Sequence, residues 1–136
     1  MAAIERARKD GKRPFALVAN ACTTPTGAFD ALGEIGRICR DQNLWLHVDG
    51  AHGASALLSP RHCCRLEGVE LADALTCDAH KLLCTPALCT AVLVPSAATL
   101  DTAFHQDASY LFHDKEQPGF DFIHRTLECT KASLRA

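Results

Sequence analysis

The stretch LWLHVDG occupies residues 44–50 and indicates a short buried strand with an acidic residue at its end. Apolar side chains dominate residues 44–48, which is typical of a strand inside a sheet. Gly50 then permits the chain to break into a loop. The segment therefore predicts a strand that places Asp49 at its carboxyl end.

Upstream of this strand the sequence predicts a helix, a strand, a turn and a longer helix. A charged helix over residues 1–12 ends at Gly11, and the run PFALVANA at 14–21 has the length of a strand. The run TTPTG at 23–27 supplies a turn, because Pro fixes its own backbone angle and Gly permits a positive one. Residues 28–43 have helical periodicity, with one face formed by Phe29, Leu32, Gly36 and Cys39.

Downstream of Gly50 the chain predicts a loop or short helical stretch to residue 68, and then two more strands. The run ADALTC at 72–77 is a strand that stops at DAHK, and residues 88–94 form another apolar strand. Ser96 could cap a helix over 97–104, and the polar residues 105–125 are typical of a mobile loop. This alternation predicts the α/β class, with a mainly parallel sheet, one domain, and functional groups at the carboxyl ends of strands.

Composition and charge exclude several kinds of partner. The 136 residues are 48% hydrophobic and 22% charged, which is ordinary for one globular domain. Fourteen Lys and Arg against sixteen Asp and Glu give a net charge of -2 without a block of either sign, so we expect no nucleic acid partner. The apolar run at 87–94 is too short to span a membrane and the N-terminus resembles no signal peptide, so we expect a cytoplasmic protein.

The eight cysteines have irregular spacing and do not form a recognisable disulfide framework. We expect reduced thiols, most of them buried. The triplet His62-Cys63-Cys64 is the densest cluster of potential metal ligands, but the chain has no C-x-x-C pair and adjacent residues rarely reach one tetrahedral ion together. We therefore expect no metal site.

Asp49 and Lys81 each follow a short apolar strand, so neighbouring strands would bring an acid and an amine to one crevice. Each residue also has a plainer explanation, because Asp before Gly is commonly a turn residue and Lys at the start of a loop is commonly solvated. Leu82 and Leu83 predict apolar walls around the amine, where desolvation favours a nucleophilic lone pair. Pyridoxal phosphate needs such an amine for a Schiff base and a carboxylate to keep its ring nitrogen protonated.

Several segments, in this order and spacing, carry a resemblance to a known family: TTPTGAFD at 23–30, WLHVDGAHG at 45–53, LSPRH at 58–62, AD at 72–73 and HK at 80–81. They resemble the group II pyridoxal-phosphate-dependent decarboxylases, which include glutamate, cysteine-sulfinate, aromatic-L-amino-acid and diaminobutyrate decarboxylases. The resemblance covers nearly the whole chain. It implies part of the large domain of a fold-type I pyridoxal-phosphate-dependent transferase.

The resemblance also implies roles for five residues. Lys81 would be the Schiff-base lysine, His80 would contact the cofactor phosphate region, and Asp49 would pair with the pyridine nitrogen. Ala51 would lie beneath the ring. Thr24 matches a threonine near the ring, although a turn hydroxyl explains it equally well.

Three other positions bear on the resemblance. His47 lies inside an apolar strand, where histidine is more often a hydrogen-bonded core residue than a catalyst, so it is left out of the catalytic set. His52 and Gly50 depart from the family, which commonly has an aromatic residue and Ala there. The wall beside the ring is therefore expected to differ.

The resemblance implies decarboxylation of an L-amino acid to the amine and carbon dioxide. Residues 106–112 look most like the glutamate and cysteine-sulfinate branch, which favours an acidic substrate such as glutamate, aspartate or cysteine sulfinate. Residues 113–125 lack the tyrosine that commonly protonates the carbanion in the family, so His113, His124 or water takes its place, or the chemistry is compromised. Tyr110 is the only tyrosine in the chain.

Relatives are much longer, so we expect residues 1–136 to be a partial large domain without the family's N-terminal segment and C-terminal small domain. The resemblance also implies a homodimer in the intact protein. Two alternatives stay open. One is another fold-type I enzyme, such as an aminotransferase or a lyase, and the other is an inactive truncated fragment.

Overall fold

The computed structural model describes residues 1–103, which fall into two compact units, Met1–Pro95 and the described part of Ser96–Ala136. The predicted loop at 105–125, with Tyr110, His113 and His124, lies outside these residues. The elements in chain order are helix α1 (Ala2–Lys9), strand β1 (Ala16–Asn20), helix α2 (Leu32–Gln42), strand β2 (Trp45–Asp49), three 3-10 helices (Ala54–Leu58, Cys63–Leu66 and Val69–Leu71), strand β3 (Ala74–Asp78), strand β4 (Thr90–Leu93) and helix α3 (Ala97–Ala103).

The four strands form one sheet in the order β1-β2-β3-β4. The first three strands are parallel and β4 runs antiparallel to β3, which confirms the predicted α/β class with a mainly parallel sheet. Asn20 and Asp49 stand side by side at the carboxyl ends of β1 and β2, and Asp49 is opposite Thr76, two residues before the end of β3. The register therefore brings the residues that follow β1, β2 and β3 to one edge of the sheet.

Helix α2 packs on the sheet through an apolar face spaced as a helix requires. Leu32, Gly36 and Cys39 are buried. Gly36 has a packing role, because a Cβ at that position would lie 2.6 Å from the Cβ of Leu71. The helix ends at Asn43, which has a φ of 53° in the left-handed region.

The predicted helix over 28–43 begins later than expected, at Leu32. Phe29 instead forms a β-bridge with Ala21, and the backbone N–H of Asp30 donates to the carbonyl oxygen of Asn20 at 2.9 Å. Residues 28–31 are therefore tied to the end of β1, and their backbone groups are not free to start the helix.

The core lies on one face of the sheet. Ala19, Leu46, Val48 and Leu75 are buried on this face, together with Leu32 of α2. The opposite face carries exposed apolar side chains: Val18, Trp45 and Val92. The expectation of a buried strand at β2 is therefore correct for one face only, because its side chains alternate between a covered face and an uncovered one.

No helix within residues 1–103 is long and apolar enough to cross a membrane.

Candidate active site

The sequence-predicted acid and amine lie at or just after the ends of adjacent strands of the sheet. β2 and β3 are direct neighbours, with Asp49 opposite Thr76, and neighbouring strands lie about 5 Å apart. Asp78 closes β3, and Lys81 follows three residues later. Asp49 therefore ends β2, and Lys81 lies in the turn that follows the adjacent strand β3.

The Asp49 carboxylate is exposed and is held by one hydrogen bond from the following loop. The backbone N–H of Ala51 donates to Oδ1 of Asp49 at 3.1 Å. Oδ2 has no hydrogen-bond partner within residues 1–103. This oriented oxygen can therefore accept a hydrogen bond from a bound molecule.

The end of β1 is fixed by Asp30, a residue that the sequence reasoning placed on a helix. Its Oδ2 accepts hydrogen bonds from the backbone N–H of Asn20 at 2.7 Å and from the Asn20 side-chain amide at 3.2 Å. Asn20 stands beside Asp49 in the register. An acidic residue shortly after a strand and a turn can indicate such a contact, but the sequence does not show which residue it contacts.

Thr24 lies in the turn after β1, and its side chain is exposed. The hydroxyl groups that hydrogen-bond within this turn belong to Thr23 and Thr26, whose Oγ1 atoms are 2.6 Å apart. Thr23 Oγ1 also accepts a hydrogen bond from the N–H of Ala28 at 3.1 Å. The turn is therefore built without the hydroxyl of Thr24.

Lys81 forms an ion pair at the end of β3. Its Nζ lies 2.9 Å from Oδ2 of Asp78, with side chains 35% and 11% exposed respectively. A turn produces this contact, because the N–H of Lys81 donates to the carbonyl oxygen of Asp78 at 3.1 Å. The predicted apolar walls around the amine are wrong, since Leu82 and Leu83 are 54% and 41% exposed and a carboxylate contacts the amine instead.

The pKa of Asp78 is lowered by the groups around its carboxylate. The Lys81 amine and then the Thr90 hydroxyl, both as hydrogen-bond donors, hold the pKa of Asp78 below its usual value, while burial opposes them. Thr90 stands opposite Asp78 in the antiparallel pair of β3 and β4. The sequence pattern predicts no role for Asp78, although an acid three residues before a lysine can indicate a local ion pair.

His80 is anchored to the start of β4. Its Nδ1 lies 3.0 Å from the carbonyl oxygen of Cys89 and 3.2 Å from the backbone nitrogen of Cys89, so it donates to the first or accepts from the second according to the tautomer. Nε2 lies 3.8 Å from Oδ2 of Asp78. The ring is therefore fixed through one nitrogen while the other faces the carboxylate that holds Lys81.

His47 and the described cysteines belong to the scaffold. His47 is half-buried and its Nε2 lies 3.2 Å from Oγ1 of Thr76, as expected for a hydrogen-bonded strand residue. Seven described cysteines are free thiols, but only Cys39 is buried, so the expectation that most are buried is wrong. Within residues 1–103 no group of three His, Cys, Asp or Glu residues could hold a metal ion, and Cys63 and Cys64 of the predicted triplet are exposed.

Comparison with known proteins identifies relatives of this chain. The family model described as the pyridoxal-dependent decarboxylase conserved domain matches residues 1–136. The L-aspartate decarboxylase dtxS4 of Metarhizium robertsii is 42% identical over 125 residues, which cover 91% of this chain and 25% of that protein. The aromatic-L-amino-acid decarboxylase of Bacillus atrophaeus is 41% identical over 108 residues, which cover 79% of this chain and 22% of that protein.

A solved structure gives the same result for the fold. The crystal structure of mouse CSAD superposes with a TM-score of 0.83 at 33% identity, covering 94% of this chain and 26% of that one. The chain thus spans about a quarter of the length of the curated relatives it matches.

Proposed function

Because this chain belongs to the pyridoxal-dependent decarboxylase family, we propose that it serves the α-decarboxylation of an L-amino acid with pyridoxal phosphate as cofactor. The reaction breaks the bond between Cα and the carboxylate, releases carbon dioxide and puts a proton on Cα in its place. The proposal rests on the position of Asp49 at the end of β2 and of Lys81 just after the end of the adjacent parallel strand β3.

Asp49 fits the ring nitrogen of the cofactor. When bound, the protonated pyridine ring supplies a sink for the electron pair left on Cα. Asp49 Oδ2 would accept a hydrogen bond from the ring N–H and hold the proton there. The hydrogen bond from Ala51 to Oδ1 would keep the carboxylate oriented, so the Asp49 side chain would lose little further conformational freedom when the cofactor binds. Ala51 itself would lie beneath the ring.

Lys81 and His80 fit the other functional groups of the cofactor. Lys81 would bind the aldehyde carbon covalently through Nζ, and the substrate amine would later displace it. His80 would contact the phosphate region through Nε2, because its other nitrogen is already engaged by Cys89. Thr24 would contribute its hydroxyl beside the ring, since the turn does not use it.

An acidic amino acid is the favoured substrate. Two observations support it: the similarity of residues 106–112 to the glutamate and cysteine-sulfinate branch, and a relative that is by name an L-aspartate decarboxylase. An aromatic substrate is the second candidate, because the relative from Bacillus atrophaeus is almost as similar.

We also propose that the protein acts as a homodimer in the cytoplasm. The resemblance to the family supports the dimer, and the free thiols among the described residues suit a reducing compartment. Sedimentation of the chain with and without pyridoxal phosphate tests the dimer, and a monomer at all concentrations in both states contradicts it.

Covalent labelling tests the central claim. The full chain is incubated with pyridoxal phosphate and reduced with borohydride, and the labelled lysines are identified by peptide mass spectrometry. We expect the label at Lys81 and little at Lys9 and Lys12, two exposed lysines that serve as internal controls. Equal labelling of Lys9, Lys12 and Lys81 contradicts the proposal. So does a total amount of label in the variant Lys81→Ala that equals the amount in the native chain.

Product analysis tests the reaction. Carbon dioxide and keto acid are measured with L-aspartate, L-glutamate and L-phenylalanine as substrates. Carbon dioxide from the acidic substrates alone supports the proposal, carbon dioxide from L-phenylalanine favours the aromatic candidate, and keto acid without carbon dioxide indicates an aminotransferase.

A further inference from the structure

Asp78 has no part in the function proposed above, yet among residues 1–103 it makes the closest polar contact to the amine on which that function depends. Its Oδ2 lies 2.9 Å from Nζ of Lys81, and its side chain is only 11% exposed. The carboxylate projects from the end of β3 beside Thr90. It is therefore held by the sheet, whereas Lys81 reaches it from a loop.

This ion pair opposes the chemistry that Lys81 would perform. An amine attacks an aldehyde only through its lone pair, which the ammonium form lacks. A carboxylate within hydrogen-bond distance favours the ammonium form. Asp78 consequently engages the amine and keeps Nζ at the strand end.

We propose, resting on the function assigned to Lys81 above, that Asp78 is a positioning residue that holds the Lys81 amine docked at the end of β3 until cofactor is loaded. Loading requires Nζ to leave Oδ2 of Asp78 and to give one proton to solvent. Nζ then forms a bond to the aldehyde carbon, and the aldehyde oxygen leaves as water. Asp78 thereby sets how readily the lysine accepts its cofactor.

The other titratable groups around the pair do not replace Asp78 in this role. His80 faces the same carboxylate from the loop, at 3.8 Å, and competes with Lys81 for it when protonated. Cys77 precedes Asp78 on β3, and burial raises the pKa of its thiol, with smaller contributions from Asp78 and Cys89. Asp49 closes the neighbouring strand β2. Within the described residues, Asp78 is the carboxylate that pairs with Lys81.

Reductive methylation measures the accessibility of the Lys81 lone pair without cofactor. The full chain and the variant Asp78→Asn are treated with formaldehyde and cyanoborohydride over a series of pH values, and methylation of each lysine is followed by peptide mass spectrometry. The Asn side chain keeps the shape and an oxygen acceptor but removes the charge. Lys9 and Lys12 report any general change in reactivity.

We expect Lys81 of Asp78→Asn to react about 1.4- to five-fold faster than Lys81 of the native chain at neutral pH, because a partly exposed ion pair contributes about 0.2–1 kcal/mol. The two rates should converge at alkaline pH. Added salt should raise the Lys81 rate in the native chain and leave the variant unchanged, since salt screens the pair. The salt measurement uses the native chain, so it tests the pair even if the variant fails to fold.

Equal Lys81 rates in the two chains, without a salt effect in the native one, overturn the proposal. The same holds if Lys9 and Lys12 change in parallel with Lys81. Failure here is separable from failure of the proposed function. A chain that shows the Asp78 effect but is not labelled at Lys81 by pyridoxal phosphate contradicts only the proposed function, and a chain that is labelled but lacks the effect contradicts only the role of Asp78.

Discussion

The carboxylate of Asp30 accepts two hydrogen bonds from Asn20, one from the backbone N–H at 2.7 Å and one from the side-chain amide at 3.2 Å. These bonds close the segment between β1 and α2 onto the last residue of β1. Asn20 is the register partner of Asp49. The contact therefore fixes the strand end against which the candidate site is built.

Removal of this carboxylate should destabilise the chain. We expect Asp30→Ala to lower the free energy of unfolding by about 1–3 kcal/mol, because two half-buried donors lose a charged acceptor. Urea unfolding followed by circular dichroism measures the change. The matched variant Asp41→Ala removes an exposed acid from α2 and should change stability by less than about 0.5 kcal/mol. Equal effects of the two variants would show that the Asn20 contact contributes nothing.

Substitution of two glycines of α2 by alanine should change the stability of the chain in opposite directions. A Cβ at Gly36 would lie 2.6 Å from the Cβ of Leu71, whereas a Cβ at Gly33 would have no neighbour closer than 3.9 Å. We expect Gly36→Ala to destabilise the chain by about 1–3 kcal/mol through overpacking. Gly33→Ala should stabilise it by roughly 0.5–1 kcal/mol through helix propensity. The unfolding midpoints in urea should move in opposite directions, and a stabilising Gly36→Ala would contradict the close packing of α2 on Leu71.

The ion pair of Asp78 predicts a pH dependence of stability. The pKa of Asp78 is lower in the folded chain than its usual value of 3.8, with the Lys81 amine as the largest cause. A lowered folded pKa gives stability that is present above the usual value and is lost as the pH falls through the folded value. The native chain should therefore be more stable than Asp78→Asn near neutral pH, and the difference should shrink below about pH 4. Urea unfolding of both chains across this range checks the sign, and a difference that grows on acidification would contradict it.

The sequence predicted the strands and their parallel alignment because each strand is a short apolar run bounded by turn residues. It also placed Asp49 correctly, since an acid before Gly50 marks a strand end. The antiparallel direction of β4 was not predicted, because the apolar run at 88–94 fits either direction. The short stretch 79–89 contains no helix, whereas the crossover between two parallel strands usually does, so this stretch indicated an antiparallel β4.

The environment of Lys81 could not be inferred from its apolar neighbours in sequence. A turn from Asp78 to Lys81 folds the side chain back onto the strand end, while Leu82 and Leu83 remain exposed. The start of α2 was predicted too early for a related reason. Asp30 has a tertiary partner in Asn20, and helical periodicity carries no information about such a partner.

The described thiols should differ in reactivity. Cys39 is 2% exposed, and burial, with a smaller contribution from Asp73, raises the pKa of its thiol, so both access and the thiolate fraction are reduced. Cys63 and Cys64 are exposed. We expect iodoacetamide to label Cys39 at least about 10-fold more slowly than these two in the native chain. Peptide mass spectrometry gives the rates, and denaturation in urea should remove the difference. Rapid labelling of Cys39 without denaturant would contradict its burial under the sheet.

The charge of Asp49 should matter for chemistry more than for the binding of cofactor. The proposed function requires a carboxylate at Oδ2 to keep the ring nitrogen protonated, and an amide cannot do this. We therefore expect Asp49→Asn to lower the rate of carbon dioxide release by roughly 10²-fold or more, as loss of a fixed electrostatic partner commonly does. Borohydride labelling at Lys81 should persist in the variant, because the amine is untouched. Asp49→Glu keeps the charge and should retain more activity than Asp49→Asn. Equal turnover by Asp49→Asn and the native chain would exclude Asp49 as the partner of the ring nitrogen.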